Sequence, residues 1–206
     1  YGAEGVVVRS LTTSLDDFPH TGVLHYRDGI SKIPAVCIST MDADLLSGLL
    51  REDPDLKLHL VSNCRNLDDV QSFNVVGELR GSVYPDQIIT IGGHLDAWDT
   101  GEGAHDDGVG CVQAMEVLRL FRVLGIQPKR TIRAVMFMDE EIAQRGGLKY
   151  AELAATNNEN HYAAVESDGG GLTPYGFGIS AEDERFEKLV DLQKYFEPYG
   201  FYKFMK

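Results

Sequence analysis

The sequence predicts an α/β protein: a mixed, largely parallel sheet flanked by helices, preceded by a small β-rich unit. Three observations lead there. From residue 73 onward, short apolar runs alternate with stretches whose apolar residues recur every third or fourth position, the order expected of strands covered by helices. One run, 131–138 (TIRAVMFM), is apolar almost throughout, as in a strand buried on both faces. Residues 1–65, by contrast, hold short β-branched or alternating runs and one short helical stretch.

Taken in order, 5–9 (GVVVR) reads as a strand, 10–29 as a polar loop and 33–39 as a second strand. Residues 42–50 read as a short helix with an acidic first turn, favourable against the helix dipole. At 56–61, Leu56, Leu58 and Leu60 alternate with Lys57, His59 and Val61, the period of a half-buried strand. The polar stretch around 66–72 is the expected linker, dividing a first unit (1–65) from a second (73–206). In the second, 73–79 and 87–92 are strands joined by a turn at 81–86. Residues 108–124 form a helix that Gly125 stops, 147–155 another, 162–165 a short strand, and 182–196 a last amphipathic helix.

Composition narrows the function. The chain has 206 residues, with 32 Asp+Glu against 19 Lys+Arg and a net charge of −13. That balance argues against phosphate-backbone binding and so against a nucleic-acid partner. No apolar stretch approaches the roughly 20 residues of a spanning helix, and no charged-then-apolar leader opens the chain. Cys37, Cys64 and Cys111 form no C-x-x-C pair, which disfavours a disulfide framework or a Cys-ligated zinc, though a Cys37–Cys64 bridge stays open.

The informative residues sit where strands end. The 87–92 strand runs into Gly93-His94-Leu95-Asp96, the 131–138 strand into Asp139-Glu140-Glu141, and the 162–165 strand into Glu166-Ser167-Asp168. Ligands of open α/β sheets bind outside the carboxyl ends of the strands, so parallel strands would bring all three groups to one crevice. His105-Asp106-Asp107 would join them at the start of the 108–124 helix. Each group has a plainer reading: a hydrogen-bonded structural His94, a capping Asp106 or Asp107, a solvated glutamate pair, a turn at Asp168. Carboxylates gathered at one edge repel one another, however, and a pair of divalent ions resolves that repulsion. Histidine nitrogen and carboxylate oxygen suit zinc, and one Glu of an adjacent pair can bind metal while the other moves protons. Asp96 supplies a carboxylate able to orient the His94 ring. No H-E-x-x-H, G-x-S-x-G or Walker A sequence is present, and the acids of 96–102 miss the EF-hand offsets.

Together these four motifs, in this order, resemble the M28 family of zinc aminopeptidases, most of all its carboxypeptidase Q-like dipeptidases. The resemblance is strong over 73–178, and 1–65 is similar, less distinctively, to the protease-associated domain of such enzymes. It implies a zinc exopeptidase-like fold and a dizinc metallopeptidase, an aminopeptidase or dipeptidase acting on short peptides through a metal-activated bridging water. By position, His94, Asp106 and Asp168 would bind one zinc; Asp106 would bridge to a second held by Glu141. Glu140 would be the general base, Asp96 would orient His94, and the Asp106–Asp107 peptide would be cis. It implies a periplasmic or extracellular setting, with monomer and homodimer both open.

Two departures stand out. Where the family continues after the Glu pair with Asn or Gln and then Gly, this chain has Ile142-Ala143. The family's second zinc also takes a downstream His, whereas the last here is His161. With its abrupt start and end, the sequence reads as a truncated internal segment, weak or inactive by itself. The competing readings are a non-catalytic peptidase-like receptor, which would have lost Glu140 or several ligands, and a calcium module, which would have no use for His94.

Overall fold

The computed structural model of the protein describes residues 2–20, 22–65, 67–99 and 101–206. Tyr1 and Thr21 of the expected first unit, Asn66 at the start of the expected linker, and Thr100 in the 96–102 segment lie outside the described residues. The chain divides into two compact units, 1–71 with 98–101, and 72–97 with 102–206.

In the first unit, β1 (Val6–Arg9) pairs parallel with β2 (Ala35–Ile38), and α1 (Thr40–Glu52) follows directly. Ser39 caps α1, its Oγ accepting from the Asp42 amide at 2.9 Å. The connection between the strands is held by buried hydroxyls. Ser10 Oγ donates to the Ile38 carbonyl, and Thr40 Oγ1 both accepts from the Asp16 amide and donates to its carbonyl. The alternation at 56–61 forms no strand among the described residues, and Leu58 is 56% exposed. A period-two pattern offers a face, but without a neighbouring strand to take its backbone groups it does not become sheet.

The second unit is built on a four-stranded sheet. Its strands are β3 (Val75–Leu79), β4 (Tyr84–His94), β5 (Arg130–Phe137) and β6 (Asn160–Glu166), in the order β3-β5-β4-β6. β4 runs parallel to both β5 and β6, and β3 is antiparallel to β5. β4 begins inside the expected turn at 81–86, with an irregularity between Tyr84 and Ile88. Between β4 and β5 lies α2 (Gly108–Val123), ending at Gly125 with φ 65°.

The sheet is covered on both faces. Ala134 and Met136 of β5 pack against Cys111 and Ala114 of α2, with Ile91 and Leu118 beside them. Residues that alternate with these point the other way. There Phe137 meets Tyr150 edge-on, and Arg133 bonds the Tyr150 hydroxyl and Glu159. Tyr150 belongs to α4 (Arg145–Thr156), which a single helical turn, α3 (Glu140–Ala143), precedes.

Beyond β6, β7 (Gly176–Gly178) pairs parallel with β8 (Lys203–Met205). The one helix expected over 182–196 is two, α5 (Asp183–Val190) and α6 (Gln193–Phe196), followed by a 3₁₀ turn. At the break the Leu192 amide closes onto Leu189, a tighter i→i−3 turn. Phe177, Phe196, Phe201 and Phe204 pack together there, with Phe201 buried. Among the described residues, no helix is long and apolar enough to cross a membrane.

Candidate metal centre

Because β4, β5 and β6 are parallel, their carboxyl ends lie along one edge of the sheet. His94 closes β4, Glu140 and Glu141 follow β5, and Asp168 follows β6. Asp106 arrives from the segment before α2, joined to Asp107 by a cis peptide.

His94 is 1% exposed and held from several sides. Its amide donates to Asp107 Oδ2 at 2.9 Å, and its carbonyl accepts from Cys111 Sγ at 3.1 Å. Its ring Nδ1 lies 2.9 Å from the Asp96 carbonyl oxygen. Asp96, expected to orient this ring, meets it with two groups. Its carboxylate stands 3.7 Å from Nδ1, and the main chain makes the closer, orienting bond. The Asp96 carboxylate instead accepts the amides of Glu140 at 3.0 Å and Glu141 at 3.1 Å, fixing the start of α3.

With Nδ1 donating to a carbonyl, the Nε2 lone pair of the neutral ring points toward the carboxylates. Nε2 lies 3.0 Å from Asp106 Oδ1 and 3.6 Å from Asp168 Oδ1. One ligand atom each from His94, Asp106 and Asp168 falls within 4.8 Å of the others, a spacing that a single divalent ion can span. Glu141 stands outside that group of three. Nevertheless, among the described residues two buried side-chain polar atoms lack a hydrogen-bond partner, and they are His94 Nε2 and Glu141 Oε1. The 3.0 Å approach of Nε2 to Asp106 therefore makes no satisfactory hydrogen bond. Buried polar atoms are nearly always paired, so two orphans facing one carboxylate cluster are what a cation site leaves when only protein groups are counted. The donor set of nitrogen and carboxylate oxygen fits zinc.

Electrostatics points the same way. Burial, and then the Asp106 carboxylate, raises both Glu141 and Asp168 above the usual carboxylate range. Burial, then Asp168 and Glu140, raises Glu166. For His94, burial pulls the pKa down, but the Asp96 carbonyl and the charges of Asp107, Asp168 and Asp106 reverse this and leave it raised. Each shift favours the protonated form, the direction expected of acids and an imidazole crowded together without positive charge.

Of Asp106 and Asp107, either of which could cap α2, the second does so. Asp107 is the α2 cap, fully buried, its Oδ1 accepting from Gly110 at 2.9 Å while Oδ2 takes the His94 amide. A Cβ at Gly93 would overlap Asp107 Oδ2, and one at Gly110 would overlap the Ser167 carbonyl, so glycine is what lets the helix start lie this close to the strand ends. Three further residues carried no legible signal. Asn74 receives the Met138 amide at 3.0 Å and donates to the Gly146 carbonyl at 2.8 Å, clamping the segment that bears the Glu pair. Gln144 donates to Glu140 Oε1 at 3.0 Å. Gln113 accepts from Ser167 Oγ at 2.7 Å, tying α2 to the segment that carries Asp168. Cys37, Cys64 and Cys111 are all free thiols, so the bridge left open above does not form.

Comparison with known proteins accords with this geometry. Residues 74–203 match the profile described as Peptidase family M28. Human Carboxypeptidase Q is 35% identical over 197 residues, which cover 96% of this chain and 42% of that protein. Its Xenopus laevis counterpart is 36% identical over the same shares. The chain thus spans less than half the length of these curated relatives. The crystal structure of a Peptidase M28 precursor from Shewanella amazonensis SB2B matches with a TM-score of 0.84 and 37% identity, over 99% of this chain and 46% of that one. On profile, sequence and fold together, the chain belongs to peptidase family M28, a family of metallopeptidases.

Proposed function

We propose that this chain carries the metal centre of a dizinc exopeptidase that removes the N-terminal residue from short peptides, dipeptides included. The observation that carries the reading is the pair of orphaned buried atoms, His94 Nε2 and Glu141 Oε1, each acted on by the Asp106 carboxylate. His94, Asp106 and Asp168 would hold one ion, and Asp106 with Glu141 would contribute to a second. When bound, zinc supplies the Lewis acidity and the acidified water that amide hydrolysis at neutral pH requires.

The chain's own groups do the rest. Glu140, half-buried and anchored through its amide to Asp96, takes the proton from the attacking water and returns it to the departing amine. Asp96 and Asp107 fix the His94 ring and main chain, so that Nε2 is presented without rearrangement. The acidic edge suits a protonated α-amine better than a C-terminal carboxylate, by charge complementarity. The relatives named Carboxypeptidase Q make the opposite polarity the alternative to eliminate.

The test has two arms. Anomalous scattering at the zinc edge should locate metal at His94, Asp106 and Asp168. In the zinc-loaded enzyme extended to the length of its relatives, a free dipeptide and a C-amidated dipeptide should be cleaved while the N-acetylated form is spared, and Glu140→Gln should abolish turnover. Metal absent at those residues, or Glu140→Gln as active as the parent, would overturn the proposal. Cleavage of the N-acetylated form alone would reverse its polarity.

A further inference from the structure

The Glu140–Glu141 pair sits on a loop whose backbone is unusual at both ends. Asp139, just before it, has φ 66°, and Gln144, just after it, has φ 55°. Both are in the left-handed region, where a Cβ crowds the following carbonyl and glycine is the natural occupant. The conformation is held from outside. Asn74 ties Met138 to Gly146 across the loop, and Asp139 Oδ2 accepts the Arg145 amide at 3.3 Å. Such a turn requires a particular backbone at 144, and a glycine would meet that requirement with less strain. A long amide side chain stands there instead, and its Nε2 donates to Glu140 Oε1 at 3.0 Å.

We propose that Gln144 is a positioning residue for the general base, occupying one carboxylate oxygen of Glu140 so that the other, Oε2, carries the proton. The inference rests on the role of Glu140 proposed above. A free carboxylate exchanges its two oxygens by rotation; one held at Oε1 by a donor presents the same oxygen to water and, later, to the amine. A carboxamide suits this task, because it donates without titrating and adds no charge to an already acidic edge. Both residues line a cavity of about 280 Å³ with Phe137, Leu148 and Glu166, so the held carboxylate borders open space. The spacing of four residues across the single turn α3 brings the amide to the base.

Gln144→Gly separates this role from a structural one, since it removes the donor while relieving the backbone. Made in the enzyme at the length of its relatives, the variant should melt at or above the parent temperature, keep its KM, and lose about tenfold in kcat, the scale of loss for an orienting partner. A melting temperature and kcat that fall together would overturn the proposal. A readout independent of turnover is the side-chain amide signal of Gln144 in nitrogen–proton spectra. It should move on Glu140→Ala, and an unmoved signal would equally overturn it. If Glu140→Gln abolishes turnover while Gln144→Gly retains full kcat, this inference alone fails; if Glu140→Gln keeps full turnover, the reading beneath it fails too.

Discussion

His94 is fixed at its amide, its carbonyl and one ring nitrogen before any ligand reaches the other. Its pKa is raised above 6.5, so below that pH a zinc ion must displace a proton from it, and the upward shifts of Glu141 and Asp168 act in the same direction. Zinc binding should therefore release protons, and its affinity should weaken as pH falls through the folded pKa of His94. Titration calorimetry in two buffers of different ionisation enthalpy measures that release, and identical heats in both would refute it. At this scale the sequence was readable where a polar residue ended an apolar run, as at His94, Glu140 and Asp168. It was silent on Gln144 and Asn74, whose roles depend on a left-handed turn and on a contact spanning 72 residues.

Among elements, the strands carrying the site announced themselves because burial on both faces leaves a continuous apolar run, as in residues 131–138. The failures have a common cause. The alternating stretch 56–61 and the three-residue strands β7 and β8 depend on whether a partner strand is present, which no local pattern records. Likewise the helix expected over 182–196 breaks at a turn that the apolar period passes straight through. The loop from β5 to α4 hangs on Asn74, which satisfies one donor and one acceptor there. Removing a side chain that leaves such groups unpaired costs about 1–3 kcal/mol. Asn74→Ala should lose stability on that scale, with faster amide exchange at Met138 and little change in β1 and β2. Uniform acceleration over the whole chain would show that the clamp is not local.

For the whole molecule, the net charge of −13 now has a structured component. Without metal, four groups at the strand ends favour their protonated forms, and their linkage to folding runs one way. Glu141, Glu166 and Asp168, raised from ordinary values of 4.5, 4.5 and 3.8, withdraw stability as pH climbs above those values, fully so beyond their folded pKa. The contribution of His94, raised from 6.5, is complete below that value and disappears as pH passes its folded pKa. The metal-free protein should thus be more stable near pH 5 than near pH 8 in denaturant titrations. Zinc at a hundred times its dissociation constant should restore about 2.7 kcal/mol. Stability that rises with pH in the absence of metal would contradict this account.

The contacts around His94 differ greatly in how much chain they close. The bond to Asp107 spans 13 residues and the anchoring of Glu140 on Asp96 spans 44, whereas Asp168 reaches His94 only across the longest loop of all. Loop closure costs more entropy as the loop lengthens, so contacts of short span form most readily. Loop closure therefore predicts an order of assembly, with the α2 cap first, the Glu pair next and Asp168 last, when β6 pairs with β4, and φ-value analysis at Asp107, Asp96 and Asp168 would check it. On that order, capture of an ion by its full set of ligands would come late, locking the sheet after its strands have found each other.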